Sequence, residues 1–597
     1  MCRLAYTRHC TKVRREGWVI RELPRWIYSV SEVADERRSM NERHFEFWPK
    51  RMPHTLTLPK TSVPYNLKVS AERYPEKAAI VYYGTTISYE RLHEEARRLA
   101  GYLQEDLGVK KGDRIILYMQ NSPQFVVAFY AILRLGAVVV PVNPMSITEE
   151  LTHYVEDAGS KVAICGGELY HQLSPLLGES HLERAIVATY SDYLEEETDL
   201  AVPDDVSAPR EEVEDERIIP WHVALEAGRA PEEVSVGSDD MALLPYTSGT
   251  TGRPKGCIHT HSTLNANLIG AALWNDITSD SVSLSTLPFF HVTGMEHSMN
   301  APVFTGGMMV LMTRWDRELA AKLVERHHIT HWTNISTMVV DFLSNPKIDE
   351  YSLSSFQFVG GGGAAMPEAV GEKLEELTGI RYAEGYGLSE TVAQTHMNPP
   401  DRPKLQCLGV PAFDVDSRVV NPETLEEVGV GEEGEIVSSG PQVMRGYWNR
   451  PEADEEAFFE RDGKRFLRTG DIGMMDEEGY FFMVDRLKRM INVSGYNVWP
   501  AEVESVLYEH PAIQEAVVIS IPDERRGEAA KAMVVLREEE KGKVAEEDIV
   551  GWAKSKMAAY KYPRSVEFID ELPKSGSGKI LWRELQEREQ EKMAEAR

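Results

Sequence analysis

Residues 246–256 read Tyr-Thr-Ser-Gly-Thr-Thr-Gly-Arg-Pro-Lys-Gly, a composition that would pack poorly in a protein core. Three glycines, four Ser/Thr hydroxyls and two cations suit a polyphosphate instead. Glycines let backbone N–H groups approach oxygen atoms, and hydroxyls add further donors. The glycine spacing differs from that of the P-loop, and Pro254 precedes Lys255. The segment therefore predicts a phosphate-binding turn outside the P-loop ATPase class.

Helices and strands alternate on both sides of this turn. Ser88 can cap a helix that ends near Gly108, and Ser122-Pro123 can begin another. Residues 137–142 form a strand that is apolar throughout, which is typical of parallel sheets covered on both faces. We predict an α/β fold: a large N-terminal domain of parallel-rich sheets covered by helices, with a small β subdomain, and a smaller mobile α+β C-terminal domain.

The chain has 597 residues, too many for one hydrophobic core, and we predict three units. Residues 1–39 are a basic N-terminal extension, 40–484 the large domain and 485–597 the small domain. We expect the extension to be poorly ordered, with Met40 as the functional start. The alternative is a surface-binding segment built on Trp18 and Trp26.

Composition excludes several classes of function. The net charge is −30, so a broadly acidic surface would repel nucleic acid. Five scattered cysteines without a Cys-x-x-Cys pair argue against a disulfide framework or a zinc site, and fit a cytoplasmic enzyme. The sequence contains no uninterrupted stretch of about 18 apolar residues, so we predict no transmembrane helix. Peripheral membrane contact and a homodimer are left open.

Further motifs follow the turn in a consistent order. They are Pro288-Phe289-Phe290-His291, Gly360 to Ala364, Tyr386-Gly387-Leu388-Ser389-Glu390-Thr391, Thr469-Gly470-Asp471, Asp485-Arg486-Leu487-Lys488 and Pro573 to Lys579. With residues 246–256, these motifs resemble those of the acyl-adenylate-forming superfamily. That family includes acyl-CoA synthetases, firefly-luciferase-like enzymes and the adenylation domains of peptide synthetases. The resemblance covers roughly residues 60–590.

The resemblance implies an ATP-dependent, AMP-forming acyl-CoA synthetase, most like the medium- and long-chain fatty-acid–CoA ligases. Its substrates would be a small carboxylic acid, ATP and coenzyme A, with Mg²⁺ as the metal. Aryl or short branched acids remain alternatives as substrates. A catalytically silent nucleotide- or acyl-binding sensor and a luciferase-like oxygenase remain alternatives as functions. Only eighteen residues follow Lys579, so we expect free coenzyme A rather than a tethered carrier.

The resemblance also assigns roles at the nucleotide. Lys579 would bridge the acid carboxylate and the α-phosphate, and Thr391 would hydrogen-bond the same phosphate. Glu390 would bind Mg²⁺ together with Thr250. Tyr386 would stack on adenine, Asp471 would accept hydrogen bonds from the ribose, and Arg486 would pair with ribose or phosphate oxygens. The remaining predicted nucleotide-binding residues are Thr247, Ser248, Gly249, Thr251, Gly252, Lys255, Gly362, Gly363, Ala364 and Gly387. Relatives often carry Asn where this chain has Gly385, so no side-chain contact to adenine is expected there.

The second half-reaction would follow a swing of the small domain about the hinge Lys488. That swing would present Gly495 and Tyr496 to coenzyme A. Arg525 and Arg526 could meet its phosphates or could simply be solvated. In the acyl pocket the resemblance places three residues, His291, Gly294 and Met295. Glu296 is left open as a partner for a substrate ammonium group.

Overall fold

The computed structural model describes residues 42–210, 215–247, 254–493, 496–523, 526–574 and 580–595. The predicted N-terminal extension, residues 1–39, lies outside these ranges. The described part is an α/β protein, as predicted. None of its described helices is long and apolar enough to cross a bilayer.

The first large sheet has nine described strands and is parallel through its centre. In spatial order they are Val410–Pro411, Ala393–Met397, Ala383–Leu388, Phe358–Gly362, His331–Asn334, Val282–Ser285, Met308–Leu311, Ala78–Tyr82 and Thr85–Ser88. The strands from Ala383–Leu388 to Ala78–Tyr82 run parallel, and antiparallel strands close both edges.

The second large sheet has seven described strands, all parallel except at one edge. Their order is His259–Thr260, Met241–Leu243, Val138–Pro141, Arg114–Tyr118, Val162–Gly166, Arg184–Ala188 and Ile218–Pro220. The strand His259–Thr260 pairs antiparallel with its neighbour. Beyond this sheet, a short hairpin pairs Tyr246–Thr247 with Lys255–Gly256, and its ends flank the predicted phosphate turn.

Helices cover both sheets. The α-helices of this part are Val63–Arg73, Tyr89–Glu105, Pro123–Arg134, Thr148–Ala158, Tyr170–Leu173, Asp204–Ser207, Trp221–Glu226, His261–Trp274, Ala301–Thr305, Arg317–His327, Ser336–Leu343, Glu368–Thr378 and Pro451–Ala457, with a π-helix at Gly294–Asn300. The helix Pro123–Arg134 is buried from Pro123 to Leu133, and its core cluster includes residues of both sheets. Ser88 and Ser122 cap their helices as predicted, each accepting a backbone N–H.

An antiparallel β unit follows the last strand of the nine-stranded sheet in the chain, as the predicted β subdomain requires. Its strands are Asp416–Val420, Gly434–Ser439, Phe458–Arg461, Lys464–Met475 and Phe481–Arg486. The last strand continues to Arg486, so it crosses the predicted domain boundary after residue 484.

The C-terminal unit is α+β. Its strands are Ile491–Val493, Tyr496–Val498, Ile513–Asp523, Gly527–Leu536 and Ser565–Phe568, and its helices are Pro500–Tyr508, Glu546–Lys556 and Trp582–Glu595. The unit has its own core, which includes Val503, Val534 and Ile549. Separate burial of this kind is what an independently packed domain requires.

Residues 42–62 lie against the large domain. Trp48 is buried and packs edge-to-face on Trp274 and Phe413, with ring centroids 4.7 and 5.4 Å apart. The Leu56 N–H donates to Asp414 at 2.7 Å. The segment is therefore part of the large-domain core.

Candidate functional site

The candidate site lies where two parallel strands of the nine-stranded sheet end. Phe358–Gly362 leads into Gly363 and Ala364, and Ala383–Leu388 carries Tyr386 and Gly387. The two strands are neighbours, with Gly362 opposite Gly385. In parallel α/β sheets, ligands bind outside the carboxyl ends of the strands. The topology therefore brings two separate predicted motifs to one edge.

Close packing of backbone explains the glycines at this edge. A Cβ atom at Gly361 would lie 1.8 Å from the Asn334 carbonyl oxygen, and one at Gly362 would lie 2.4 Å from the Gly385 carbonyl oxygen. Gly363 has φ of +89°, a conformation that favours glycine. Gly363 and Ala364 are exposed at the strand end, which leaves a surface without large side chains.

Tyr386, Asp471 and Arg486 form one cluster. The Tyr386 hydroxyl donates to Asp471 Oδ2 at 2.6 Å, and Arg486 Nε lies 3.0 Å from Asp471 Oδ1. Asp471 and Arg486 are opposite each other in the antiparallel pair of strands that carries them. Asp471 is 0% exposed, and burial together with this carboxylate holds the pKa of Tyr386 well above its usual range. The predicted adenine and ribose residues are thus brought together.

Glu390 lies in a one-turn 3₁₀ segment, Ser389–Thr391, beside that cluster. Its Oε1 accepts a 3.0 Å hydrogen bond from the Tyr447 hydroxyl. The ammonium of Lys255 lies 5.1 Å from the centroid of the Tyr447 ring. Burial raises the pKa of Glu390. Tyr447 was missed from the sequence because nothing in its local pattern marks it; only the fold places it between Glu390 and Lys255.

The phosphate turn is held at both ends. Thr247 pairs with Lys255 across the hairpin, and the Tyr246 hydroxyl donates to Asp157 Oδ2 at 2.7 Å. Asp157 Oδ1 accepts from Arg450 at 2.6 Å. The predicted residues between these ends, Ser248, Gly249, Thr250, Thr251 and Gly252, lie outside the described residues.

Thr391 is buried within its own turn. Its hydroxyl oxygen accepts the Leu388 N–H at 2.9 Å and lies 2.7 Å from the Ala393 carbonyl, to which it can donate. The same bend explains Gly387, where a Cβ atom would lie 1.7 Å from the Ala393 carbonyl oxygen. Both residues therefore shape the turn that carries Glu390. Hydrogen bonding of Thr391 to the α-phosphate stays a prediction.

The predicted acyl-pocket residues begin the segment before the helix Ala301–Thr305. His291 is exposed and its ring lies 5.2 Å from that of Phe290. Gly294 and Met295 are buried, and a Cβ atom at Gly294 would lie 2.3 Å from the Pro288 carbonyl oxygen.

Glu296, one residue further along the chain, is 0% exposed and its Oε1 accepts from Asn300 at 2.8 Å. Burial raises its pKa well above the usual range. Because the Glu296 side chain is fully buried and bonded to Asn300, it is not presented to a substrate ammonium, so the geometry does not favour amino acids.

The hinge region is braced by Asp485. Its Oδ2 accepts the Ala501 N–H at 2.6 Å, in the first turn of the helix Pro500–Tyr508, and its Oδ1 lies 3.6 Å from Arg489. The predicted hinge Lys488 lies between them in the chain, in the 3₁₀ turn Leu487–Arg489. The strand of the large domain is thus bonded directly to the first helix of the small one.

The five residues predicted for the second half-reaction and the terminal loop are only partly described by the structure. Lys579, Gly495 and Arg525 lie outside the described residues, and Tyr496 belongs to the strand Tyr496–Val498. The segment 575–579 is flanked by a β-bridge between Lys574 and Ile580. Arg526 pairs with Asp523 at 3.2 Å.

Sequence comparison identifies the family. Residues 67–448 match the profile of the AMP-binding enzymes, and residues 502–579 match that of the AMP-binding enzyme C-terminal domain. The chain belongs to the AMP-binding enzyme family. The resemblance inferred from the motifs is thereby confirmed.

Relatives within the AMP-binding enzymes include ligases for two kinds of acid. The chain is 37% identical to a long-chain-fatty-acid–CoA ligase of Bacillus subtilis, over 91% of this chain and 97% of the relative. It is 34% identical to a feruloyl-CoA synthase of an Amycolatopsis species, over 87% and 97%. Among solved structures, a Mycobacterium tuberculosis fatty acyl CoA synthetase aligns with a TM-score of 0.68 at 30% identity, over 88% and 98%.

These findings confirm three predictions about this AMP-binding enzyme. They are its fold class, its membership of the adenylate-forming superfamily and its activity as an AMP-forming acid–CoA ligase. ATP and coenzyme A are accordingly its substrates, together with a small carboxylic acid.

Proposed function

We propose that this enzyme joins a long-chain fatty acid to coenzyme A in two steps. The acid carboxylate attacks the α-phosphorus of ATP, giving acyl-AMP and pyrophosphate. The thiol of coenzyme A then attacks the acyl carbon, giving acyl-CoA and AMP. The observation that carries the proposal is the convergence of Tyr386, Asp471, Arg486 and Glu390 at the carboxyl ends of two parallel strands.

Nucleoside binding would use the cluster around Asp471. Tyr386 is fixed by its hydrogen bond to Asp471, so its ring is already oriented when adenine arrives. When the nucleotide binds, Asp471 would lose some of its hydrogen bonds to Tyr386 and Arg486 and would accept hydrogen bonds from the ribose hydroxyls instead. Arg486 would remain near enough to balance the buried carboxylate. The small residues Gly363 and Ala364 would let the base lie close to the backbone.

Mg²⁺ would be held by Glu390, with Thr250 and substrate phosphates as further ligands. Among the described residues no group of three or more His, Cys, Asp or Glu side chains could form a metal cage. One carboxylate suits Mg²⁺, which commonly binds one or two protein carboxylates together with phosphates and water. When bound, Mg²⁺ neutralises charge on the phosphates. The Tyr447 hydrogen bond would hold the Glu390 carboxylate in place.

Charge neutralisation is the main chemical task of the first step, because two anions must meet. Lys255 would neutralise phosphate oxygens from the end of the turn. Lys579 would bridge the carboxylate and the α-phosphate. Neither lysine needs to act as a nucleophile, since the carboxylate itself attacks.

The second step would need Lys579 to leave the site. Rotation about Lys488 would move the small domain, residues 485–597, and bring Gly495 and Tyr496 towards the acyl-AMP. The contacts of Asp485 with Ala501 and Arg489 cross this hinge, so they would be exchanged during the rotation.

A long-chain fatty acid is the favoured substrate because of the similarity to the Bacillus subtilis ligase. His291 would stand at the mouth of the acyl pocket, with Gly294 and Met295 along its wall. An aryl acid is the second candidate, because the feruloyl-CoA synthase is nearly as similar. We further propose a cytoplasmic location on the basis of scattered cysteines, of which Cys165, Cys257 and Cys407 are free.

The test is acid-dependent exchange of labelled pyrophosphate into ATP, followed across straight-chain acids from short to long and across aryl acids. Fastest exchange and thioester formation with long-chain acids would support the proposal. Fastest exchange with an aryl acid would instead support the second candidate, in which an aryl acid is the substrate. Nucleotide binding without exchange for any acid would indicate a silent sensor, and oxygen consumption or light would indicate an oxygenase.

A further inference from the structure

The acyl segment contains an irregular helix with polar side chains in the core. Residues Gly294–Asn300 form a π-helix, and all seven are buried. π-Helical turns are rare, because they cost regular hydrogen bonding. Many of those that do occur lie at functional sites. Within this turn His297 is only 7% exposed, although it carries two polar ring atoms. A buried polar side chain is costly unless it is paired, so its presence in the core calls for a structural or functional explanation.

His297 is connected to the turn that carries Glu390. Its Nε2 contacts Gln394 Oε1, and Gln394 Nε2 donates to the Asn267 carbonyl at 3.1 Å. Asn267 Nδ2 donates in turn to the carbonyl of Thr391 at 3.3 Å and to that of Gln394 at 3.2 Å. Gln394, Asn267 and Thr391 are all buried. We call these four residues, His297, Gln394, Asn267 and Thr391, the polar relay.

The directions of the hydrogen bonds are mutually consistent. Burial lowers the pKa of His297 to about 4, so the ring is neutral near pH 7. A neutral ring can donate through Nε2 to the amide oxygen of Gln394, whose NH₂ group then donates onward. Gln442 Nε2 also donates to the Gln394 carbonyl, at 3.2 Å, which fixes that residue from a third segment. The pairing is not complete: within the described residues His297 Nδ1, Asn267 Oδ1 and Gln442 Oε1 are buried without a hydrogen-bond partner.

We propose that His297 is a positioning residue that couples the acyl segment to the Ser389–Thr391 turn. The proposal rests on the proposed function, because it assumes that the acid lies along the π-helix. Movement of that helix on binding of the acid would be passed through Gln394 and Asn267 to the Thr391 backbone, and so to Glu390. ATP would then bind more tightly once the acid is present. By linkage, the acid would bind more tightly once the nucleotide is present.

The experiment measures this coupling directly. Binding of α,β-methylene-ATP, which cannot release pyrophosphate, is measured with and without saturating hexadecanoate, or the acid that gives the fastest exchange. For the wild type we expect the acid to tighten nucleotide binding by about fivefold or more, the scale of a coupling free energy of at least 1 kcal/mol. The wild type must first show acid-dependent pyrophosphate exchange. Its failure there would overturn the proposed function instead.

Two substitutions at one position separate the hydrogen bond from simple loss of the ring. His297→Gln keeps an N–H donor near the position of Nε2, whereas His297→Asn is too short to reach Gln394. We expect His297→Gln to retain the coupling and His297→Asn to reduce it to less than twofold. Gln394→Met removes the same hydrogen bond from the Gln394 side, so we expect it to behave like His297→Asn. The test can therefore still be made if one of these two variants fails to fold.

The matched control is His331→Asn. His331 is also buried, and its Nε2 bonds to the Asn275 carbonyl at 2.8 Å, outside the polar relay. We expect a comparable loss of melting temperature with the coupling intact. The proposal is overturned if the wild type shows no coupling, if both relay variants retain it, if His297→Gln fails to restore it, or if His331→Asn abolishes it equally.

Discussion

The hydroxyl of Tyr447 donates a 3.0 Å hydrogen bond to the carboxylate of Glu390. This bond joins the turn after one strand of the nine-stranded sheet to a loop that follows the β subdomain's second strand. The ammonium of Lys255 lies 5.1 Å from the same aromatic ring, so the end of the phosphate turn belongs to the same group. Three segments far apart in sequence thus surround one carboxylate, which is the proposed ligand of Mg²⁺.

Replacing Glu390 tests its role as that ligand. We expect Glu390→Gln to raise the Mg²⁺ concentration needed for half-maximal exchange by about 10–100-fold and to depress turnover, because a neutral amide binds Mg²⁺ weakly. The measurement is a Mg²⁺ titration of pyrophosphate exchange. Tyr447→Phe is the control; it keeps the ring beside Lys255 and removes only the hydrogen bond, so the Mg²⁺ midpoint should move less. An unchanged titration in Glu390→Gln would place the ligand elsewhere.

Asp471 is expected to determine nucleotide affinity. Asp471→Asn removes the charge that faces Arg486 and weakens the bonding available to the ribose, so we expect KM for ATP to rise by about tenfold, or 1.4 kcal/mol. Asp416→Asn is the matched control, because Asp416 is also largely buried and paired with an arginine, Arg418, in the same β subdomain. It should lower stability while leaving KM for ATP unchanged. Equal effects on KM would contradict the assignment.

The raised pKa of Glu384 leads us to expect that the stability of the folded protein depends on pH. It is buried, accepts the N–H groups of Gln406 and Met366, and burial raises its pKa to about 7 from an ordinary 4.5. The folded state therefore holds the proton more tightly than the unfolded state, and the unfolding free energy contributed by this group falls as pH rises from about 4.5 to 7. At 1.36 kcal/mol per pKa unit, the full effect is roughly 3 kcal/mol.

Glu384→Gln removes this titration while keeping an oxygen acceptor. We expect the stability of the variant relative to the wild type to increase from pH 5 to pH 8, measured by denaturant unfolding at each pH. A difference that is constant across this range would show that Glu384 is already ionised at pH 5 in the folded protein.

The N-terminal segment gives a prediction about stability. Deleting residues 1–39 should leave the melting temperature and the exchange rate unchanged, as the predicted functional start at Met40 implies. Trp48→Ala should lower the unfolding free energy by about 3–5 kcal/mol, since the ring is buried against Trp274 and Phe413. Loss of vesicle binding or activity on deletion of 1–39 would instead support a surface-binding role for Trp18 and Trp26.

Local sequence predicted the regular elements well, because their signals are local. The caps at Ser88 and Ser122 and the helix that begins at Pro500 depend on neighbouring residues alone. Tyr386, Asp471 and Arg486 could be assigned to one site only through the family resemblance, and the structure then placed them in contact. Tyr447 and Gln394 were missed because their contacts join segments more than fifty residues apart. The π-helix was missed because its sequence shows no distinct period.

Lys579 carries the most demanding prediction from the sequence. Lys579→Ala should slow adenylation by ~10²–10³, the scale for removing one preorganised donor, and should leave thioester formation from supplied acyl-AMP largely intact. Both half-reactions are followed separately, by pyrophosphate exchange and by consumption of acyl-AMP. Lys574→Ala is the control, since Lys574 is exposed and bonds to Glu515 in the small domain. Comparable loss in both half-reactions would reject the assigned role.

The central claim, that the acid is activated as an acyl-AMP, is tested most directly by the fate of the carboxylate oxygen. The enzyme is incubated with ATP, coenzyme A and hexadecanoate labelled with ¹⁸O in both carboxylate positions, and the products are analysed by mass spectrometry. Attack of the carboxylate on the α-phosphorus predicts AMP that carries one ¹⁸O atom, with unlabelled pyrophosphate. Unlabelled AMP, or label in inorganic phosphate with ADP as the nucleotide product, would contradict the account.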